Sequence, residues 1–147
     1  MRVMGLDVGD KRIGIALSDP FGSFAQPHAT LARGREAVDL SQLAAIAREH
    51  EVTGLVVGLP LHMSGEESAM AAKIRAFADR LGQELGLAVT YWDERLTSQE
   101  AERTLIAGGM RRKRRKQVVD QVAAVLILQG YLDSVRGEAV TDPYCSP

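Results

Sequence analysis

The chain has 147 residues, 46% hydrophobic and 25% charged, with 18 basic residues against 19 acidic for a net charge of −1. This is the size and composition of one soluble globular domain with a sizeable core. It excludes a bilayer-crossing helix, because no apolar run reaches the roughly 18 residues that one needs. The single cysteine, Cys145, excludes an internal disulfide and a cysteine-based zinc site. Met1 runs directly into the first predicted strand, leaving no room for a signal peptide, so a cytoplasmic protein is expected. The near-neutral total hides an asymmetry. Residues 111 to 116 read Arg111-Arg112-Lys113-Arg114-Arg115-Lys116, and setting those six aside leaves 12 basic residues against 19 acidic. A concentrated basic patch on an otherwise acidic chain addresses a polyanion.

Val3 to Val8 is the first apolar run. Gly9-Asp10 supplies the turn chemistry of a hairpin, and in Arg12 to Ser18 the apolar Ile13, Ile15 and Leu17 alternate with Gly14, Ala16 and Ser18, the period of a strand. Asp19-Pro20-Phe21-Gly22-Ser23 is a turn. Phe24 to Leu31 reads as a third strand, placed at a sheet edge because Pro27 cannot donate to a ladder. Ala32 to Arg35 reads as loop. Val38, Leu40, Leu43, Ala44, Ile46 and Ala47 have helical spacing and predict a helix over Glu36 to His50. Gly54 to Leu59 is a short continuous apolar run, the mark of a parallel strand buried on both faces, and Pro60 ends it.

Pro60 to Gly65 is a loop. Ser64 with Glu67 fits a capping box, opening a helix that carries Met70, Ile74, Phe77, Leu81 and Leu85 on one stripe and stops at Gly86. Leu87 to Trp92 is the fifth strand, with Tyr91 and Trp92 expected at or near the core. After Asp93-Glu94-Arg95-Leu96, Thr97 with Glu100 forms a second capping box for a short helix ending at Gly108-Gly109. The basic run is expected to begin as a loop, and Gln117 to about Val135 is the last helix. These elements predict an α/β fold: a five-stranded mixed sheet, three antiparallel strands and then two parallel ones reached by right-handed crossovers, with helices on both faces. The domain is expected to span residues 1–137, with a tail over 138–147.

Three carboxylates sit where a packed fold has no use for them. Asp7 lies inside the first apolar strand, where an ionised group needs a partner or a metal. Glu94 follows the fifth strand, and Asp120 opens an otherwise apolar helix. Each has a plainer reading: Asp7 as a turn-satisfying acid, Glu94 as an exposed loop acid beside Asp93, Asp120 as an acid suited to the helix dipole. Taken together, hard oxygen donors without histidine or cysteine suit Mg²⁺ or Mn²⁺. Two such ions about 4 Å apart can activate a water and clamp an in-line phosphoryl displacement. The basic run ends four residues before Asp120, so a phosphodiester backbone drawn to it arrives near that acid. The histidines His28, His50 and His62 do not cluster. His62 and Ser64 lie in a loop at the carboxyl end of a parallel strand, a common ligand position in open α/β sheets, although a plain helix-entry loop is the better reading.

Asp7-Val8-Gly9-Asp10-Lys11-Arg12-Ile13-Gly14-Ile15-Ala16, Val56-Val57-Gly58-Leu59-Pro60-Leu61 followed by Gly65, Asp93-Glu94-Arg95-Leu96-Thr97-Ser98, and Asp120 to Gln129 resemble, in order, the four signature blocks of the YqgF/RuvX family. These are RuvC-like nucleases of ribonuclease H-like fold. The first block also resembles the phosphate-binding turn of actin-like and sugar-kinase ATPases. The family resemblance implies that Asp7, Glu94 and Asp120 are acidic metal ligands, with Asp7 bridging two ions. It implies a bacterial cytoplasmic nuclease that processes the 5′ end of the 16S ribosomal RNA precursor, resolves Holliday junctions, or both. Lys11, Arg12, Arg95 and the run Arg111 to Lys116 would then hold phosphates of structured RNA or branched DNA, and symmetric junction cutting would ask for a homodimer. One departure stands out. Better-understood ribonuclease H-like nucleases carry an acid at the end of the fourth strand, where this chain has Gly58-Leu59-Pro60, so Glu94 must substitute. The rival readings are a non-catalytic nucleic-acid-binding factor in ribosome assembly and an actin-like ATP-binding protein.

Overall fold

The computed structural model describes residues 2–60, 68–93 and 112–139, with backbone alone for residues 112–120 and 136–139. Five strands, β1 (Arg2–Val8), β2 (Arg12–Ser18), β3 (Ala25–Ala32), β4 (Val52–Leu59) and β5 (Val89–Asp93), form one sheet in the order β3-β2-β1-β4-β5. β1 pairs antiparallel with β2 and β2 with β3, while β1–β4 and β4–β5 are parallel. This is the predicted topology, with β1 at the centre.

Alternation along β1 divides the core in two. Met4, Leu6 and Val8 face one way, beside Ile13, Ile15 and Leu17 of β2 and Leu55, Val57 and Leu59 of β4. Against them pack α1 (Glu36–Glu49), through Leu43, Ala44 and Ala47, and α2 (Ala69–Leu85), through Ala71, Ile74, Phe77, Ala78 and Leu81. Val3, Ala16 and Val56 face the other way, onto Ala124, Ile127, Leu128 and Leu132 of α3 (Arg112–Ala139). Gly5 is what seats that helix. A Cβ there would lie 2.7 Å from Leu128 Cβ and 3.2 Å from the Ala124 carbonyl oxygen.

The turn between β2 and β3 forms where expected. Asp19 Oδ1 accepts from the Ser23 amide at 2.6 Å and the Phe24 amide at 2.9 Å, and the Phe24 bond above all holds this carboxyl below the usual range. Pro27 lies on edge strand β3. There Ile15 pairs with Ala29 and Ala16 with Pro27, so His28 is the extra residue of a bulge. The His28 ring meets the His50 ring edge-on, with centroids 4.9 Å apart.

Some boundaries differ from the predicted ones, for identifiable reasons. α2 starts at Ala69. Its cap is Ser68, whose Oγ accepts from the Ala71 amide at 3.0 Å and donates to the Pro60 carbonyl at 3.0 Å. Ser64 and Glu67 lie outside the described residues, as do His62, Glu94, Arg95 and the helix predicted from Thr97 to Gly108. β5 takes in Asp93, which pairs opposite Leu59. α3 starts at Arg112 rather than Gln117 and continues to Ala139 rather than Val135. Arg and Lys are good helix formers, and a helix anchored further along by Ala124, Ile127 and Leu128 can extend through them. Gly86 closes α2 in the left-handed conformation, φ 67°. Tyr91 and Trp92 are partly buried against the two core clusters, and the Tyr91 hydroxyl bonds the Arg75 carbonyl at 3.1 Å.

Candidate active site

Asp7 is the next-to-last residue of the central strand, opposite Gly14 of β2, and is only 8% exposed. Neighbouring residues of a strand face opposite sides, so Asp7 shares the α3 side of the sheet with Gly5, and Val8 lies on the α1/α2 side. Ala124 and Leu128 cross over Gly5. Further along, the Gln129 side chain accepts from the Ala25 amide at 2.8 Å and donates to the Ser23 carbonyl at 3.1 Å. That turn lies beside the start of β1, where the Val3 amide bonds Ser18 Oγ at 2.8 Å. α3 therefore runs antiparallel to β1.

Two residues of strand advance about 6.6 Å, and six residues of helix, counted from between Ala124 and Leu128, about 9 Å. From the Gly5 crossing, Asp7 and helix position 120 thus both move toward the same end of the sheet. They are far apart in sequence, and the backbone carries both positions to that end. Glu94 follows Asp93, the last described residue of β5, and lies outside the described residues. β4 ends at Leu59, 4% exposed, with no acid at that place. Among the described residues no group of three or more His, Cys, Asp or Glu is arranged around a metal position.

The turn after Asp7 is held by a network that the sequence alone does not single out. The Gly9 amide donates to the Arg12 carbonyl at 2.8 Å, closing the hairpin. Arg33, in the stretch that reads as loop, donates from Nη1 to the Gly9 carbonyl at 2.9 Å and from Nε to Asp39 Oδ2 at 3.2 Å. Its own amide donates to the Lys11 carbonyl at 2.8 Å, and its guanidinium lies over the Phe77 ring, 5.1 Å from the centroid. Asp39 is 1% exposed, and Oδ1 also accepts from the Gly34 amide at 3.1 Å. The available signal was spacing: Asp39 stands one turn before Leu43 on the buried stripe of α1, where an acid needs a partner. Lys11 is exposed at the hairpin tip and Arg12 half-buried beside it. Arg112 to Lys116 occupy the first turns of α3, and Arg111 lies outside the described residues.

Residues 1–134 match the family model RuvX, described as Holliday junction resolvase. A protein of Myxococcus xanthus named "Putative pre-16S rRNA nuclease" is 52% identical over 136 residues, which is 92% of this chain and 90% of that one. One of the same name from Moorella thermoacetica is 53% identical over 140 residues, 95% of this chain and the whole of that one. Among solved structures, Thermus thermophilus RuvC in complex with Holliday junction substrate aligns with a TM-score of 0.59 at 13% identity, over 93% of this chain and 96% of that one. The Fowlpox virus resolvase in complex with junction DNA aligns at 0.60 and 11% identity, over 92% and 99%. At such identities these two similarities establish the fold alone: the sheet and its helices have the RuvC-like, ribonuclease H fold.

Proposed function

We propose, from the premise that this chain belongs to the RuvX family, that it is a nuclease hydrolysing phosphodiester bonds of structured nucleic acid. Its substrate would be the 5′ end of the 16S ribosomal RNA precursor, the Holliday junction, or both. A nuclease and resolvase family makes it a hydrolase. The observation that carries a catalytic reading is Asp7. It is a buried carboxylate at the end of the central strand, and α3 carries a second acid position toward the same end of the sheet.

Asp7, Glu94 and Asp120 supply oxygen donors only, a set that fits a hard divalent cation. They would hold Mg²⁺ or Mn²⁺, which would activate a water and stabilise the leaving oxygen. The chain's own part is to fix Asp7 on a rigid strand and to bring a phosphodiester to it. Lys11 and Arg12 at the hairpin, Arg95, and the run Arg111 to Lys116 would hold flanking phosphates. No helix of the described residues is long and apolar enough to cross a membrane, and work on ribosomal precursor would place the protein in the cytoplasm. Symmetric resolution of a junction would call for two copies, whereas trimming a precursor end calls for one.

The test is cleavage of a four-way DNA junction and of a 16S precursor fragment with Mg²⁺ or Mn²⁺, comparing the wild type with Asp7→Asn. Asn keeps the shape and removes the charge. Disturbing the surroundings of a metal ligand typically costs 10- to 100-fold, so losing a ligand is expected to cost more than about 100-fold while binding under chelation persists. Equal cutting by the mutant would sink the reading. Binding that survives chelation with no cutting by either protein would favour an assembly factor.

A further inference from the structure

A groove of about 400 Å³ opens at the same end of β1 as Asp7 but on the α1/α2 side of the sheet. Its floor is apolar: Val8, the residue after Asp7, with Met70, Ile74 and Phe77 of α2. Its rim is polar: Asp10 from the hairpin, Arg33 just before α1, Glu36 at the start of α1, and Lys73 and Arg80 from α2. We propose that this groove is a subsite for one unpaired nucleobase of the substrate, next to the bond that is cut. The inference rests on the nuclease reading above for its substrate.

Three features select a base over a phosphate. First, the groove is not an anion site. Arg33 is committed to Asp39 and the Gly9 carbonyl, and Arg80 is paired with Glu36, which leaves Lys73 as the one cation of the rim without a partner among the described residues. Second, the Arg33 guanidinium is a fixed plane. Two hydrogen bonds and the Phe77 ring hold it, and the side chain remains 25% exposed. Phe77 is itself buried, so the surface offered to a base is the guanidinium, a plane on which unpaired bases stack. Third, the carboxylate of Asp10 has no hydrogen-bond or ion-pair partner among the described residues. A carboxylate accepts from exocyclic amino groups, which guanine, adenine and cytosine carry and uracil lacks. The placement also suits a strand of substrate. A chain crossing the end of β1 from the α3 side passes Asp7 and then this groove, one strand's thickness away.

Ala76 lines the groove and is itself exposed on α2, so Ala76→Phe fills the space without entering the core. Ala72, exposed on α2 outside the groove, gives the control Ala72→Phe. The probe is an RNA stem with a short single-stranded overhang carrying one 2-aminopurine, titrated with the full chain in chelator, so that no cutting is needed. The expected result is a saturable fluorescence change that Ala76→Phe abolishes and Ala72→Phe keeps. Affinity for the overhang stem should drop about tenfold in Ala76→Phe, with blunt-stem affinity unchanged. An identical response in both variants would overturn the subsite. So would equal weakening of overhang and blunt stems, or free 2-aminopurine riboside monophosphate binding as tightly as the stem. The Asp7→Asn cleavage assay fails or succeeds independently of this titration, so the two ideas are separable.

Discussion

Gly5 and Asp7 are two residues apart on one face of one strand, so what packs on Gly5 governs how α3 passes the strand that carries Asp7. The absent side chain at Gly5 lets α3 settle on β1, which fixes how close position 120 comes to Asp7. Substituting Gly5→Ala places a methyl group 2.7 Å from Leu128 Cβ, against a helix side that cannot rotate away because Ile127 and Leu132 are also buried. Overpacking of this kind typically costs 1–3 kcal/mol. A drop of about that size is expected in urea unfolding, with the midpoint lowered and the slope unchanged. Cleavage at a temperature where the variant is still folded should fall further than nucleic-acid binding does, because α3 carries an acid of the proposed site. A variant as stable and as active as the wild type would remove α3 seating from the account.

At the scale of elements, the β3 bulge and the end of α1 share a titratable contact. His28 is held below its ordinary value of 6.5, first by burial, then by His50 beside it, with Glu49 opposing. The unfolded chain therefore takes up a proton here more readily than the folded one. As pH falls through 6.5 the unfolded state gains, stability drops, and the loss levels off below the folded value. The expected result is that His28→Gln flattens the difference in unfolding midpoint between pH 8 and pH 5.5, and an unchanged difference would assign it to other groups. His28 also shows what patterns can and cannot convey. Alternation in β2, the run in β4 and the turn at Asp19 are local signals, and each placed its element correctly. The bulge depends on how Pro27 is accommodated by a partner strand, which no local pattern encodes. Ser68 rather than Ser64 caps the described α2 because its hydroxyl also reaches the Pro60 carbonyl, a tertiary contact. At the candidate site, the buried position of Asp7 was legible from its place in an apolar run. Arg33 and Asp39 were not, because the Arg33–Gly9 bond joins residues 24 positions apart.

For the whole molecule, the basic run matters more in three dimensions than its count of six suggests. Read as a loop, residues 111–116 could each follow one phosphate. In the structure the run from Arg112 is helical, and successive residues of a helix step about 100° around its axis. A phosphodiester backbone lies along one side of a helix, so roughly half of the run can touch it at once. The rest of the chain carries 12 basic residues against 19 acidic and repels a polyanion at long range. Each duplex phosphate contact contributes about −0.9 to the slope of log affinity against log salt. Neutralising all six residues to Gln is therefore expected to reduce the magnitude of that slope by about 3, not by 5 or 6, for a duplex-rich substrate bound by the Asp7→Asn protein in chelator. The measurement is a set of binding titrations from low to physiological salt. A reduction near 6 would mean that the run leaves its helix on binding and lies along the backbone as an extended segment. No reduction would mean that Lys11, Arg12 and Arg95 carry the electrostatic contact alone, and that the approach of the substrate is set at the hairpin rather than at the start of α3.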